Sequence, residues 1–382
     1  MTRLRPPGFG GQARGTRPVT RESLGGTRKG FPQTPSVDAL RAAIPFVSPE
    51  GLTRLARIAA AVVVYAASVA APIASQSEAS FGAPGAPQDK QDRREKRVVA
   101  VNVVDEKGQQ VTGLRVENFR GKYRGEAVKV VSAEQMTGAR RIVVLLDMSE
   151  SMDGAPGKWS YAQTAFQGLI ANGPDGARLA LVTFDGAPEK RIGFEEWSAE
   201  AGLALGELER PRKMERGAKP LGLLGAMKAG LGLLGEVEAG DVFFVITDGW
   251  RTPEEGGEEL RPVYCGGMRV FTFDFFVRGG GGAEMSSLAA ATGGEALHAV
   301  FGGAIRDRVS KAYVPLEGVP ESLVQFYRQM GEFYRVEVEL PREVDKAREW
   351  ELEVVDAAGK KRKDARVVYP RRLVKCGAES GS

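Results

Sequence analysis

The apolar positions of this chain change their period along its length, and the changes mark out its parts. From Arg141 onward, short continuous apolar runs recur: Arg141-Ile-Val-Val-Leu-Leu-Asp147, Leu179 to Phe184, a short run from Arg191 to Phe194, Val242 to Ile246, Val270 to Phe276 and Ala296 to His298. Runs of this kind suit strands buried on both faces of a parallel sheet. Between them, Trp159, Ala162, Phe166, Leu169 and Ile170 recur at helical spacing, a Leu-rich helix is expected from Leu221 to Leu234, and others from Ala283 to Ala291 and from Ala304 to Tyr313. Strands alternating with helices predict crossover connections. The fold class is therefore α/β, a doubly wound, mostly parallel six-stranded sheet over residues 138–315.

On either side the period drops to two. Residues 96–137 form a small β region in which Val98 to Val104, Val111 to Leu114, Phe119 to Tyr123 and Ala127 to Val131 are separated by Gly-containing turns. In residues 316–376, a helix with Leu323, Phe326, Tyr327 and Met330 on one stripe leads into the strict alternation Tyr334-Arg-Val-Glu-Val-Glu-Leu340. Trp350 to Val354, Ala357 to Gly359 and Arg366 to Tyr369 continue the β pattern, and the two flanking regions could pair into a β-sandwich.

Residues 1–57 are rich in Arg, Gly and Pro without an apolar period, which predicts a disordered basic extension. Residues 58–75 carry the apolar run Ile58 to Ala74, preceded by Arg54 and Arg57 and ending in small residues, the pattern of a signal peptide or a membrane anchor. A Pro-containing polar linker, 76–95, follows. This order implies an extracytoplasmic location for the rest: secreted, periplasmic or membrane-anchored through residues 58–74.

Composition narrows the chemistry. The net charge of +4 over 382 residues is modest and much of it lies in the first stretch, so no nucleic-acid partner is implied. With a single histidine, His298, a serine triad or a zinc centre is not expected, because both normally call on histidine, and His298 reads as a strand-end residue without chemistry. Cys265 and Cys376 belong to no CxxC pair; they are two unpaired thiols or, in an exported protein, a disulfide tying the tail to the main domain. Gly279 to Gly282 lack the strand-to-helix context of a phosphate loop.

The site lies where the first buried strand ends. Asp147, Ser149 and Ser151 follow that strand in alternation, at the sheet edge where open α/β folds bind ligands. Hard oxygen donors there suit a small divalent cation; the same residues could equally cap a helix. Asp248, before Gly249 at the end of a later strand, is a fourth candidate, and Arg210, Arg212, Lys213, Arg216 and Lys219 form a basic loop suited to steering an acidic partner.

Asp147-Met-Ser149-Glu-Ser151 resembles the Asp-x-Ser-x-Ser of von Willebrand factor A domains, and Ile246-Thr-Asp248-Gly249 fits that family too. The flanking Val111-Thr-Gly-Leu114, Glu117-Asn-Phe119 and β tail resemble a bacterial family of exported A-domain proteins known from acidobacteria. The resemblance implies a Rossmann-like fold and a metal-ion-dependent adhesion site. Asp147, Ser149, Ser151 and Asp248 would hold Mg²⁺, or Mn²⁺ or Ca²⁺, whose open position an Asp or Glu of a partner protein completes. The family also supplies a threonine, and here Leu221 stands at that place. The implied function is non-enzymatic protein binding of the adhesion type. Two alternatives stay open: a metal-independent scaffold in an envelope assembly, and a phosphohydrolase with Asp147 as nucleophile.

Overall fold

The computed structural model describes residues 94–138, 140–154, 157–186, 191–195, 211, 221–249, 260–276, 282–300, 304–306, 313–315 and 320–377. The expected basic extension, the apolar segment 58–75, nearly all of the linker and the basic loop between Arg210 and Lys219 lie outside them. Among the described residues, no helix is long and apolar enough to cross a membrane.

The six expected strands of the α/β part are all present: β4 (Arg141–Asp147), β5 (Arg178–Phe184), β6 (Arg191–Ile192), β7 (Val242–Thr247), β8 (Arg269–Phe276) and β9 (Ala296–Val300). They belong to an eight-stranded sheet in the order β11-β10-β9-β8-β7-β4-β5-β6. The two additional strands, β10 (Ala304–Arg306) and β11 (Tyr313–Pro315), correct the expected helix from Ala304 to Tyr313. β10 pairs antiparallel with β9 through Ala304 with Val300 and Ile305 with Ala299, and β11 pairs with β10. The open edge of β9 offered ladder hydrogen bonds to a short segment with weak helical preference, and pairing outweighed local propensity.

Buried on both sides, β4 sends alternate residues to two cores. Ile142, Val144 and Leu146 meet Trp159, Ala162, Phe166 and Leu169 of helix α2 (Lys158–Asn172), together with Phe326 and Tyr327 of α6 (Glu321–Gly331). Val143 and Leu145 meet Leu223, Ala226 and Met227 of α3 (Leu223–Leu234), with Val263 of α4 (Arg261–Cys265) and Met285 of α5 (Gly282–Thr292). Helices thus cover both faces. Because β5 lies on one side of β4 and β7 on the other, β4 is the strand at which the winding reverses.

The flanking regions form one six-stranded sheet, not two facing ones, in the order β14-β2-β3-β12-β1-β15. Its strands, β1 (Glu95–Asp105), β2 (Phe119–Tyr123), β3 (Glu126–Met136), β12 (Phe333–Leu340), β14 (Glu351–Val354) and β15 (Ala365–Val368), are all antiparallel, and edge strands β14 and β15 come into contact. The alternation seen in β12 holds, with Tyr334, Val336, Val338 and Leu340 facing a core of their own. Val111 to Leu114 is not a strand. It runs past β1 with a single bond from Val111 N–H to Val103 O, and Gly113 takes a φ of +74° that a strand excludes. Likewise Ala357 to Gly359 is a turn.

Among the contacts that join the parts, inside one compact unit, Pro84–Ser382, two stand out. Fully buried Arg269, at the start of β8, donates to Asn102 Oδ1 of β1 at 2.9 Å and to Gln329 O at the end of α6 at 2.7 Å, and lies over the Phe333 ring. Cys265 and Cys376 form a disulfide that ties the C-terminal tail to α4. The open choice between free thiols and a bridge is thereby resolved.

Candidate functional site

β4 delivers Asp147 to the carboxyl rim of the sheet, and the register places Thr247 of β7 beside it, one step beyond the Leu146 to Ile246 pair. Asp147 is 2% exposed, and both its oxygens are occupied. Oδ1 accepts the Ser149 N–H at 2.8 Å and Oδ2 accepts the Thr247 hydroxyl at 2.6 Å. Burial pushes its pKa up, and those hydrogen bonds pull the other way.

The chain then turns into the one-turn helix α1 (Glu150–Gly154). Ser149 and Ser151 hydroxyls lie 2.9 Å apart, and Ser151 Oγ donates to Asp248 Oδ1 at 3.0 Å. All four residues singled out from the sequence therefore meet in one hydrogen-bonded chain.

Three further residues belong to this cluster. Lys158 opens α2 behind Gly157, whose φ of +91° turns the chain into the helix. Its ammonium lies 2.6 Å from Asp248 Oδ2 and 3.3 Å from Ser151 O, with the Lys158 and Asp248 side chains only 10% and 8% exposed. Thr247 holds Asp147 as described. Half-buried Asp185, just past β5 with a φ of +54°, has its pKa pushed up to about 6 by desolvation and by the neighbouring Asp147 charge.

Leu221, standing where the family threonine would be, offers the rim no side-chain oxygen. Its side chain packs against Gly225 and the second core, and its carbonyl accepts the Asp185 N–H at 2.9 Å. Two hydroxyls and two carboxylates are the right donor chemistry for a hard cation. The free carboxylate oxygen, however, is already held by an ammonium, and the fifth donor is a leucine. As the side chains stand, the cluster does not fit a resident divalent ion.

The remaining sequence candidates separate from this rim. His298 on β9 is bonded through Nδ1 to Asp274 of β8 and lies 3.1 Å, through Nε2, from Ser286 Oγ of α5. This line of side chains resembles a serine triad in connectivity. Ser286 lies inside α5. The line ties α5 to two strands.

An open α/β sheet with a hydroxyl and carboxylate cluster at its switch point defines a class of domain whose candidate site lies at the carboxyl rim of the sheet. Within that class, the model of the von Willebrand factor type A domain matches residues 142–250, a span that contains the whole rim cluster, and the chain carries such a domain. Similar solved structures include a von Willebrand factor type A protein from Catenulispora acidiphila, 15% identical, covering 76% of each chain at a TM-score of 0.35. Proximal thread matrix protein 1 of the mussel byssus is 18% identical over 53% of this chain and 49% of its own, at a TM-score of 0.36. BatB from Bacteroides thetaiotaomicron is 16% identical over 50% of this chain and 86% of its own, at a TM-score of 0.29. No curated protein sequence matches the chain.

Proposed function

We propose that this chain is a non-enzymatic, extracytoplasmic protein-binding module that meets its partner at the carboxyl rim of the parallel sheet and needs no divalent ion to do so. The von Willebrand factor type A match, which spans the rim from Asp147 to Asp248, carries the protein-binding part of this reading. Metal independence is supported by the ion pair between Lys158 and Asp248. The Cys265–Cys376 disulfide supports an oxidising compartment outside the cytoplasm. Against a phosphohydrolase stands the burial of Asp147, with each of its carboxylate oxygens holding a hydrogen bond.

The convergence of Asp147, Ser149, Ser151 and Asp248 favours a second reading, in which Mg²⁺ displaces Lys158 and offers an open position to a partner's acidic side chain. Capture of envelope proteins by the immobilised chain separates the two. The first reading expects capture that survives EDTA and is lost in Ser149→Arg, which blocks the rim. Capture abolished by EDTA supports the second reading, and equal capture by Ser149→Arg removes the rim from both.

A further inference from the structure

Lys158 is in a position that local electrostatics disfavours. It is the first residue of a fifteen-residue helix, where the unpaired N–H groups and the helix dipole already concentrate positive charge. Its ammonium is nevertheless turned inward and nearly buried. It faces Asp248 Oδ2 and the Ser151 carbonyl, both part of the cluster already described. A buried cation at a helix start persists only when a specific anion holds it there.

We propose that the Lys158 ammonium is the resident cation of this rim, a tethered positive charge standing where a divalent ion would otherwise complete the cluster. This deepens the metal-independent reading of the same site and rests on it. Every oxygen that an ion would recruit has a partner inside the chain. Asp147 Oδ1 and Oδ2 take Ser149 N–H and Thr247 Oγ1, Ser149 and Ser151 share a hydrogen bond, and Asp248 accepts Ser151 Oγ on one oxygen and Lys158 on the other. The one ammonium pairs directly with Asp248, the carboxylate that also takes the Ser151 hydroxyl. A divalent ion would have to eject a covalently tethered competitor and then share the site with its charge. Leu221 brings no side-chain oxygen to the rim. The rim is thus held in one state, without an ion to switch it.

The test is calorimetric titration of the full chain with Mn²⁺, a probe that the same donors accept. Wild type is expected to give no saturable heat up to about 1 mM ion. Lys158→Met and the gentler Lys158→Gln, which keeps a hydrogen bond to Asp248, should each bind a single Mn²⁺ at least about tenfold more tightly than wild type. Adding Asp248→Asn to either should abolish that gain. Near-ultraviolet circular dichroism reports folding in parallel. A variant that unfolds in buffer and refolds with Mn²⁺ counts for the proposal. One that stays unfolded with Mn²⁺, or folds and gains no heat, overturns it, as does saturable wild-type binding that Asp248→Asn removes. These heats are independent of partner capture, so a failed tethered cation and a failed protein-binding reading give different results.

Discussion

Asp185 is the residue whose protonation the site makes most conspicuous. Its pKa is raised to about 6, so the folded protein holds that proton more tightly than the unfolded chain does. The stability this contributes is fully present below the ordinary aspartate value, about 4, and is lost as pH rises through about 6. Asp185→Asn cannot lose a proton. Its stability should therefore improve relative to wild type on going from about pH 4 to about pH 7.5, with the change centred between the two pKa values. Urea midpoints at the two pH values check this, and a difference that is the same at both would contradict it. Nearby, Gly186 has no room for a side chain, because a Cβ there would lie 1.7 Å from Met148 O. Gly186→Ala must push the Asp147 to Ser149 turn aside and should cost about 1 to 3 kcal/mol in a urea denaturation. Asp147, Ser149, Ser151 and Asp248 were legible in the sequence because each follows an apolar run that had to be a buried strand. Lys158 was not, since nothing local says that a lysine eleven residues after the end of one strand will turn back onto a carboxylate at the end of another.

At the scale of elements, the sequence revealed most where burial is two-sided or strictly alternating. β4, β7 and β12 announced themselves by hydrophobic pattern, and β4 also implied the site through its place at the switch point. The pattern failed for β10 and β11, three residues each, because so short a segment takes its conformation from the edge it finds. It failed again at Val111 to Leu114, where Tyr334 Oη accepts the Leu114 N–H at 3.1 Å and donates to Val111 O at 2.9 Å, replacing a ladder with one side chain. The close packing of α3 on the sheet depends on Gly230, where a Cβ would meet Phe243 Cε1 at 2.7 Å and Val143 Cγ1 at 3.2 Å. Gly230→Val overfills that contact. A loss of about 1 to 3 kcal/mol is expected by urea denaturation, and an unchanged midpoint would show that α3 can lift off the sheet without cost.

The described residues form two large sheets with separate cores, and two of the ties between them stand out. Arg269 reaches from the α/β sheet into β1 and the end of α6, and the disulfide fastens the tail to α4. The Arg269 tie could not be read beforehand, because Asn102 precedes Arg269 by 167 residues, and the bridge between cysteines 111 apart could be read only as one of two open choices. Sequence spacing alone says nothing of distance across such intervals. Reducing the Cys265–Cys376 bridge, or replacing Cys376 by Ser, should lower stability by about 2 to 4 kcal/mol in denaturant titrations with and without reductant. Coincident curves would show that the tail is held without it.

At the rim a lysine, not a metal ion, supplies the positive charge. Anomalous diffraction from crystals of the full chain grown with Mn²⁺, collected at the manganese absorption edge, is the measurement that decides this. No anomalous density is expected between Ser149, Ser151 and Asp248, and the Lys158 ammonium should stay within hydrogen-bonding distance of Asp248. A manganese peak bonded to those oxygens, with Lys158 turned away, would contradict it.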